Sequence, residues 1–264
     1  MADRPGDLAF GITAASRPNH PRLGAGLERL GYGELWVNDT RGGDGVSALA
    51  EILPGSPTIR LGIGVVALSE HAPETIPDRL AAAGLPLDRL TLGVGSGASV
   101  SLGLVRRGVA ELRERLPDTP LGIAAVGPRM LRLAGEVADA VIAGWAGLER
   151  LAWARDRAAE GAGVARRPPP RIVAYVRTAI GVGAADRLRE SMAQYREHGP
   201  HYARAFDAQP GALVGVAVES GDPAELARAL APYRSVADTV VVRGLPVEDT
   251  VDAWLEIAAA AAGG

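Results

Sequence analysis

The chain contains no cysteine. That excludes disulfides, thiolate nucleophiles, iron–sulfur clusters and cysteine-ligated zinc. Lysine is missing as well, because all 28 basic residues are arginine. Without it there is no Walker-type phosphate loop, no Schiff-base chemistry and no anchor for pyridoxal phosphate. Histidine is scarce: His20, His71, His198 and His201 are the full set, and no HExxH metal motif occurs. No apolar run approaches the roughly 18–20 residues of a membrane span. Met1–Asp7 has no signal-peptide core, so a cytoplasmic location is expected. With 31 acidic side chains against 28 basic ones the net charge is −3, which disfavours nucleic acid or a membrane surface as a partner. The expected partner is a small molecule, with a homodimer admitted.

Glycine is plentiful, 34 of 264 residues, or about 13% against a usual ~7%. The richness in Ala, Gly, Arg and Pro is that of a GC-rich genome. Hydrophobic residues make up 47%, enough for a sizeable core. Short apolar runs recur at Leu8–Ile12, Leu35–Val37, Ile59–Leu68, Leu90–Val94, Leu121–Val126, Ala140–Ala143, Ile172–Val182 and Thr239–Val242. Most are nearly continuous, as in parallel strands buried on both faces. Helical spacing lies between them: Leu23, Leu27 and Leu30; Val105, Val109, Leu112 and Leu116; Leu188, Met192 and Tyr195; Leu226, Leu230 and Tyr233. A last helix is expected from about Val247 to Ala260. Arg167–Pro170 reads as a loop. Ala184–Arg234 is expected to hold two helices joined through Pro210–Gly221. Eight strands alternating with helices over about 250 residues predict one α/β domain spanning 1–264, a single (β/α)8 TIM barrel.

In such a barrel the chemistry sits at the C-terminal ends of the strands. The second run is followed by Asn38-Asp39-Thr40 and the third by Ser69-Glu70-His71. The fourth leads into Gly93-Val94-Gly95-Ser96-Gly97 and the fifth into Val126-Gly127-Pro128. The sixth ends at Gly144 and Trp145, the seventh carries Tyr175 and Arg177, and the eighth ends in Arg243. The glycine turn lets a ligand approach backbone closely, though such turns also serve ordinary strand-to-helix connections. At Val126–Pro128, proline opens a helix whose free N–H groups can meet an anion. Asp39 is either a helix cap or a polar group at the site. His71 is either a loop residue or a proton donor. Trp145 either packs at the rim or stacks on a substrate. Arg177, inside an apolar strand, requires an internal carboxylate or an anionic ligand. His198 and His201 read as a solvated helix end, Arg129 as helix surface, and Asp139 as part of a turn.

The pieces Leu92-Gly-Val-Gly-Ser-Gly97 and Gly127-Pro-Arg-Met-Leu-Arg-Leu-Ala-Gly-Glu-Val-Ala-Asp139, preceded by Ile59-Arg-Leu-Gly-Ile-Gly-Val-Val66, resemble the bacterial luciferase-like flavin and deazaflavin oxidoreductases. The similarity runs from about Leu8 to Gly163, more loosely beyond, and is nearest the coenzyme F420-dependent methylenetetrahydromethanopterin reductase branch. It implies a cofactor, F420 or FMN, lying across the strand ends. By the resemblance, Gly64-Val65 falls at a non-prolyl cis peptide in a bulge that backs the ring. Asp39 falls near the ring, Gly95, Ser96 and Gly97 along the cofactor's middle, and Val126 with Gly127 at its phosphate.

Two departures separate the chain from the family's deazaflavin sugar-phosphate dehydrogenases. Ala98 stands at their catalytic Glu and Thr40 at their His. The insertion after the fourth strand is trimmed to about Ser99–Gly103. The expectation is therefore hydride transfer to or from a small organic substrate, with Asp39 and His71 as catalytic groups and Trp145 and Arg177 against the substrate. An FMN-dependent monooxygenase, a non-redox isomerase or lyase, and a non-catalytic cofactor carrier are the alternatives.

Overall fold

The structure is a computed structural model that describes residues 7–15, 20–39, 43–99 and 101–263. Among the described residues nine strands run in the order β1 (Asp7–Thr13), β2 (Glu34–Asn38), β3 (Arg60–Ala67), β4 (Leu90–Gly95), β5 (Leu121–Ala124), β6 (Ala140–Gly144), β7 (Arg171–Ile180), β8 (Val216–Val218) and β9 (Thr239–Gly244). Every pairing is parallel, and β1 to β7 with β9 close on themselves through β7–β9 and β9–β1. This is the expected TIM barrel.

Ten α-helices surround it among the described residues: α1 (Pro21–Arg29), α2 (Gly45–Ile52), α3 (Ile76–Ala82), α4 (Leu102–Arg115), α5 (Pro128–Val137), α6 (Leu148–Val164), α7 (Ala184–Glu197), α8 (Pro200–Asp207), α9 (Pro223–Val236) and α10 (Val251–Ala262). Several start on a side-chain cap. Asp44 accepts from Val46 and Ser47 N–H, Ser101 from Leu104 N–H and Asp222 from Ala224 N–H. No helix among the described residues is long and apolar enough to cross a membrane.

Strand alternation divides the core in two. Phe10, Ile12, Leu35 and Val37 point outward against Leu23, Leu27 and Leu49 of the helices. Ala9, Trp36, Ile142, Val173, Tyr175 and Val241 point inward and fill the barrel. Burying a leucine or valine side chain is worth about 1.5–3 kcal/mol, so both layers hold the closed sheet together. At the N-terminal end, the buried Glu34 accepts from Trp36 Nε1 at 2.7 Å and Arg171 Nη1 at 2.5 Å, and pairs with Arg60 at 3.0 Å. That end is closed by paired charges.

Three boundaries depart from the sequence reading. The segment after β7 holds three helices and a strand rather than two helices. Gly199, at φ 153°, and Pro200 break the periodicity carried by Leu188 and Tyr195 and start α8 anew. Three-residue β8 is too short to show a period. It pairs only with Thr178–Ile180, on the edge of β7 that β6 leaves at Tyr175. The last helix begins at Val251 rather than Val247, because Thr250 caps it by accepting from Ala253 N–H.

Candidate active site

The mouth of the barrel, where the strands end, is lined by small residues on several strands and by long polar ones on β2, β7 and β9. Gly11, Gly64 and Gly144 carry no side chain where Tyr175, Arg177 and Arg243 lean in. A Cβ on Gly64 would sit 2.3 Å from the Tyr175 hydroxyl, and one on Gly11 would sit 3.6 Å from Arg243 Cδ.

At the centre, β3 bulges against β4 between Ile63 and Val66, and the Gly64–Val65 peptide bond is cis. Asn38, the last residue of β2, donates from Nδ2 to the Gly64 carbonyl oxygen at 2.6 Å. Among the described residues, its buried Oδ1 has no hydrogen-bond partner, and neither has the buried Tyr175 hydroxyl. Burial pushes the Tyr175 phenol far above its ordinary pKa, so it remains a donor. Buried polar atoms are normally paired, and an orphan carries a desolvation cost of about 1–3 kcal/mol.

Four ionisable groups meet at the rim above β2 and β3. Arg79 of α3 donates to His71 Nδ1 at 2.9 Å and to Asp44 Oδ1 at 3.1 Å. Because a guanidinium only donates, the ring proton of His71 belongs on Nε2 in this arrangement. Asp39 is half-buried and accepts from Gly45 N–H at 3.2 Å. Burial, reinforced by the charge of Asp44, raises its pKa against the pull of the Gly45 N–H, His71 and Arg79. For Asp44 burial also opposes ionisation, but bonds from Ser47 and Val46 and the Arg79 charge prevail and lower its pKa. Asp39 and His71 thus lie in one electrostatic cluster. Thr40 lies outside the described residues.

The two turns take different forms. Gly97 has φ +61° and begins a single helical turn to Ser99. A Cβ there would stand 2.1 Å from Ser69 Oγ, so the β4 turn packs tightly on the β3 loop. Gly95 is buried, Ser96 is half-buried, and Ala98 is exposed on this turn. Val126 has left strand β5, which ends at Ala124, and stands with Gly127 in the connection to α5. Gly127 caps α5 in extended conformation, with open space where a Cβ would be. Arg150, in the first turn of α6, donates from Nη2 to the Val126 carbonyl oxygen at 2.8 Å and lies over the Trp153 ring. A cation therefore stands beside this turn. The sequence reading assigned the turn to backbone alone. Arg129 is exposed on α5, as expected.

On the far side of the mouth, Trp145 is 2% exposed and adopts φ 57°. It packs with Leu188, Phe206 and Val214, beneath α7 and α8, and its buried Nε1 has no partner among the described residues. Arg177 is 5% exposed. Its guanidinium lies 4.2 Å from the Trp145 ring centroid and 4.9 Å from that of Tyr195. No internal carboxylate meets it among the described residues; cation–π contacts replace the salt bridge. Arg243 lies directly across the β7–β9 pairing from Arg177 and donates to the Gly244 carbonyl oxygen at 2.6 Å. Burial, and then the like charge of Arg177, lower its pKa to about 10. An open cavity of about 650 Å3 reaches Arg243 between α7 and the loop Leu245–Asp249.

The remaining candidates fall away from the mouth. His198 is exposed at the end of α7 and stacks on Tyr195. His201 is half-buried, against the expectation of a solvated position, because its ring packs on Tyr202. Asp139 accepts from Leu121 N–H and pairs with Arg113 and Arg167 at the opposite end of the barrel. Asn38 and Tyr175 lay in strand ends read from the sequence, but their convergence on Gly64 required the barrel's closure. Arg79 and Arg150 gave no signal, since each lies on a helix rather than at a strand end.

The family model described as luciferase-like monooxygenase matches residues 103–240. No curated protein matches the chain. Solved structures share its fold at low identity. An F420-dependent secondary alcohol dehydrogenase, in complex with an F420–acetone adduct, superposes with a TM-score of 0.76 at 11% identity, covering 96% of this chain and 97% of that one. The coenzyme F420-dependent tetrahydromethanopterin reductase of Methanopyrus kandleri gives 0.71 at 16% identity, covering 97% and 98%. The oxygenating constituent of 3,6-diketocamphane monooxygenase from the CAM plasmid of Pseudomonas putida, in complex with FMN, gives 0.70 at 13%, covering 97% and 96%.

Proposed function

The chain belongs to the luciferase-like monooxygenase family, and from that premise we propose that it is an oxidoreductase that holds F420 or FMN across the barrel mouth. The observation that carries this reading is the bulged Gly64–Val65 backbone facing two orphaned polar atoms, Asn38 Oδ1 and the Tyr175 hydroxyl. A flat heterocycle with carbonyl and N–H edges suits such a wall, because it can stack on backbone while pairing buried donors and acceptors.

In this reading Gly95, Ser96 and Gly97 flank the cofactor's middle. Val126 and Gly127 present the start of α5 to its phosphate, with Arg150 adding a positive charge. When bound, the cofactor supplies the hydride donor or acceptor; the protein supplies position and electrostatics. Asp39 and His71 hold protons at the β2–β3 rim. The raised pKa of Asp39 brings it nearer the range of a usable acid. Trp145 and Arg177 bound the substrate side. We take residues 1–264 as one barrel domain working on a small molecule in the cytoplasm.

The neighbour that binds FMN favours a second reading, an FMN-dependent monooxygenase. Anaerobic reduction assays over a panel of alcohols and carbonyl compounds, repeated with oxygen, separate the two. Hydride exchange with F420 that ignores oxygen supports the first reading. Oxygen consumption with reduced FMN supports the second. Cofactor binding with no turnover in either assay would make the protein a carrier, and the redox reading would fail.

A further inference from the structure

Several arginines of this protein meet a carboxylate, while half-buried Arg89, Arg150 and Arg187 donate to backbone carbonyls. Arg60 and Arg171 share Glu34, Arg79 pairs with Asp44, and Arg113 and Arg167 share Asp139. Among the described residues Arg177 and Arg243 form no ion pair with a carboxylate, and their environment is aromatic. They are directly paired residues of β7 and β9, so both side chains turn to the same face of the sheet, into the mouth. Arg177 rests on the Trp145 and Tyr195 rings, and Arg243 lies 5.1 Å from the Trp254 ring centroid. Asp249 is the acidic group facing Arg243, and its Oδ1 accepts from Trp254 Nε1 at 2.7 Å. Two neighbouring guanidiniums, one of them 5% exposed, thus share a largely aromatic surround, with Asp249 acting on Arg243 alone of the two. Taking charge out of water without an opposite charge is costly, and an oxyanion bridging both forks offsets that cost. The cavity of about 650 Å3 leads from solvent to Arg243, and Arg177 stands behind it across the β7–β9 pairing.

We propose that Arg177 and Arg243 bind the carboxylate of an anionic substrate at the β7–β9 side of the mouth. This rests on the reading of the mouth as the active site, but the anion site itself needs no cofactor. The Trp254 ring, which lines the cavity beside Arg243, fits a carboxylate attached to an apolar body rather than a free inorganic ion.

The test is calorimetric titration of the full chain at constant ionic strength with benzoate, its neutral counterpart benzamide, and inorganic phosphate. Benzoate should bind at least tenfold more tightly than benzamide. Arg177→Gln and Arg243→Gln should each weaken benzoate at least tenfold and leave benzamide unchanged, with far-UV circular dichroism reporting the fold. Saturating FMN or F420 should leave the benzoate affinity in place. Equal binding of benzoate and benzamide, or unaltered benzoate binding in both folded variants, would overturn the site. Displacement of benzoate by cofactor, or phosphate binding tenfold tighter than benzoate, would give the anion site to a phosphate and overturn the carboxylate assignment. Should a variant not fold, the comparison of the three ligands on the parent chain decides. If neither cofactor binds but benzoate does, the cofactor reading fails and the anion site stands.

Discussion

Arg150 Nη2 donates to the carbonyl oxygen of Val126 at 2.8 Å, tying the start of α6 to the turn that opens α5. The bond brings a guanidinium to a place where backbone N–H groups already face outward. Arg150→Met should weaken binding of the phosphate-bearing cofactor by about tenfold, since a charge-assisted contact is worth roughly 1.5–3 kcal/mol. Exposed Arg129→Ala should have a smaller effect. Fluorescence titration of both variants checks the order.

Gly127 tests the backbone part of the same turn. Its φ of −112° and ψ of 156° suit a β-branched residue, and nothing lies within 4 Å of an added Cβ. Gly127→Val should therefore fold and melt like the parent, yet shield the N–H groups of α5. Cofactor binding should fall by about an order of magnitude, or roughly 1.4 kcal/mol. Unchanged affinity would remove the phosphate from this turn.

Those two turns illustrate how far the sequence could be read. Parallel strands buried on both faces leave continuous apolar runs, so the eight barrel strands were legible, and strand ends pointed to Asp39, His71 and Gly127. Contacts formed by closure were not. Tyr175 meets Gly64 across the barrel, 111 residues away in sequence (175 − 64), and no local period encodes that. Arg150 reaches back from its helix to Val126, and Arg79 reaches His71 from α3. Helical arginines look alike in sequence whether they point to solvent or to a site. Strand β8 escaped because three residues that pair on one edge display neither alternation nor a long apolar run.

Asp39 should make stability depend on pH. Its folded pKa lies above that of the unfolded chain, chiefly through burial. The folded state thus holds the proton to higher pH, and stability falls as pH rises through the window starting near the unfolded value of about 3.9. Asp39→Asn, which can still accept from Gly45 N–H, should melt higher than the parent at pH 7 and equally at pH 3. Thermal melts at the two pH values check the sign. A variant less stable at pH 7 would show that the ionised carboxylate is held by stronger partners than those described.

Glu34 should carry the N-terminal end of the barrel. Its side chain is 3% exposed and serves Trp36, Arg60 and Arg171 together. Glu34→Ala leaves the Trp36 N–H without its acceptor and strips one partner from each guanidinium, Arg60 keeping Asp7 and Arg171 keeping Thr239, and should cost about 1–3 kcal/mol. Glu34→Gln, which keeps an acceptor oxygen, should cost less. Urea unfolding measures both.

The central claim is that the barrel mouth holds a flavin or a deazaflavin. The most direct measurement is titration of the full chain with FMN and with F420, followed through the visible absorption of the cofactor. The account predicts saturable binding of one of them at one molecule per chain, lost or weakened in Gly127→Val. Binding of neither cofactor by the folded parent chain would contradict it.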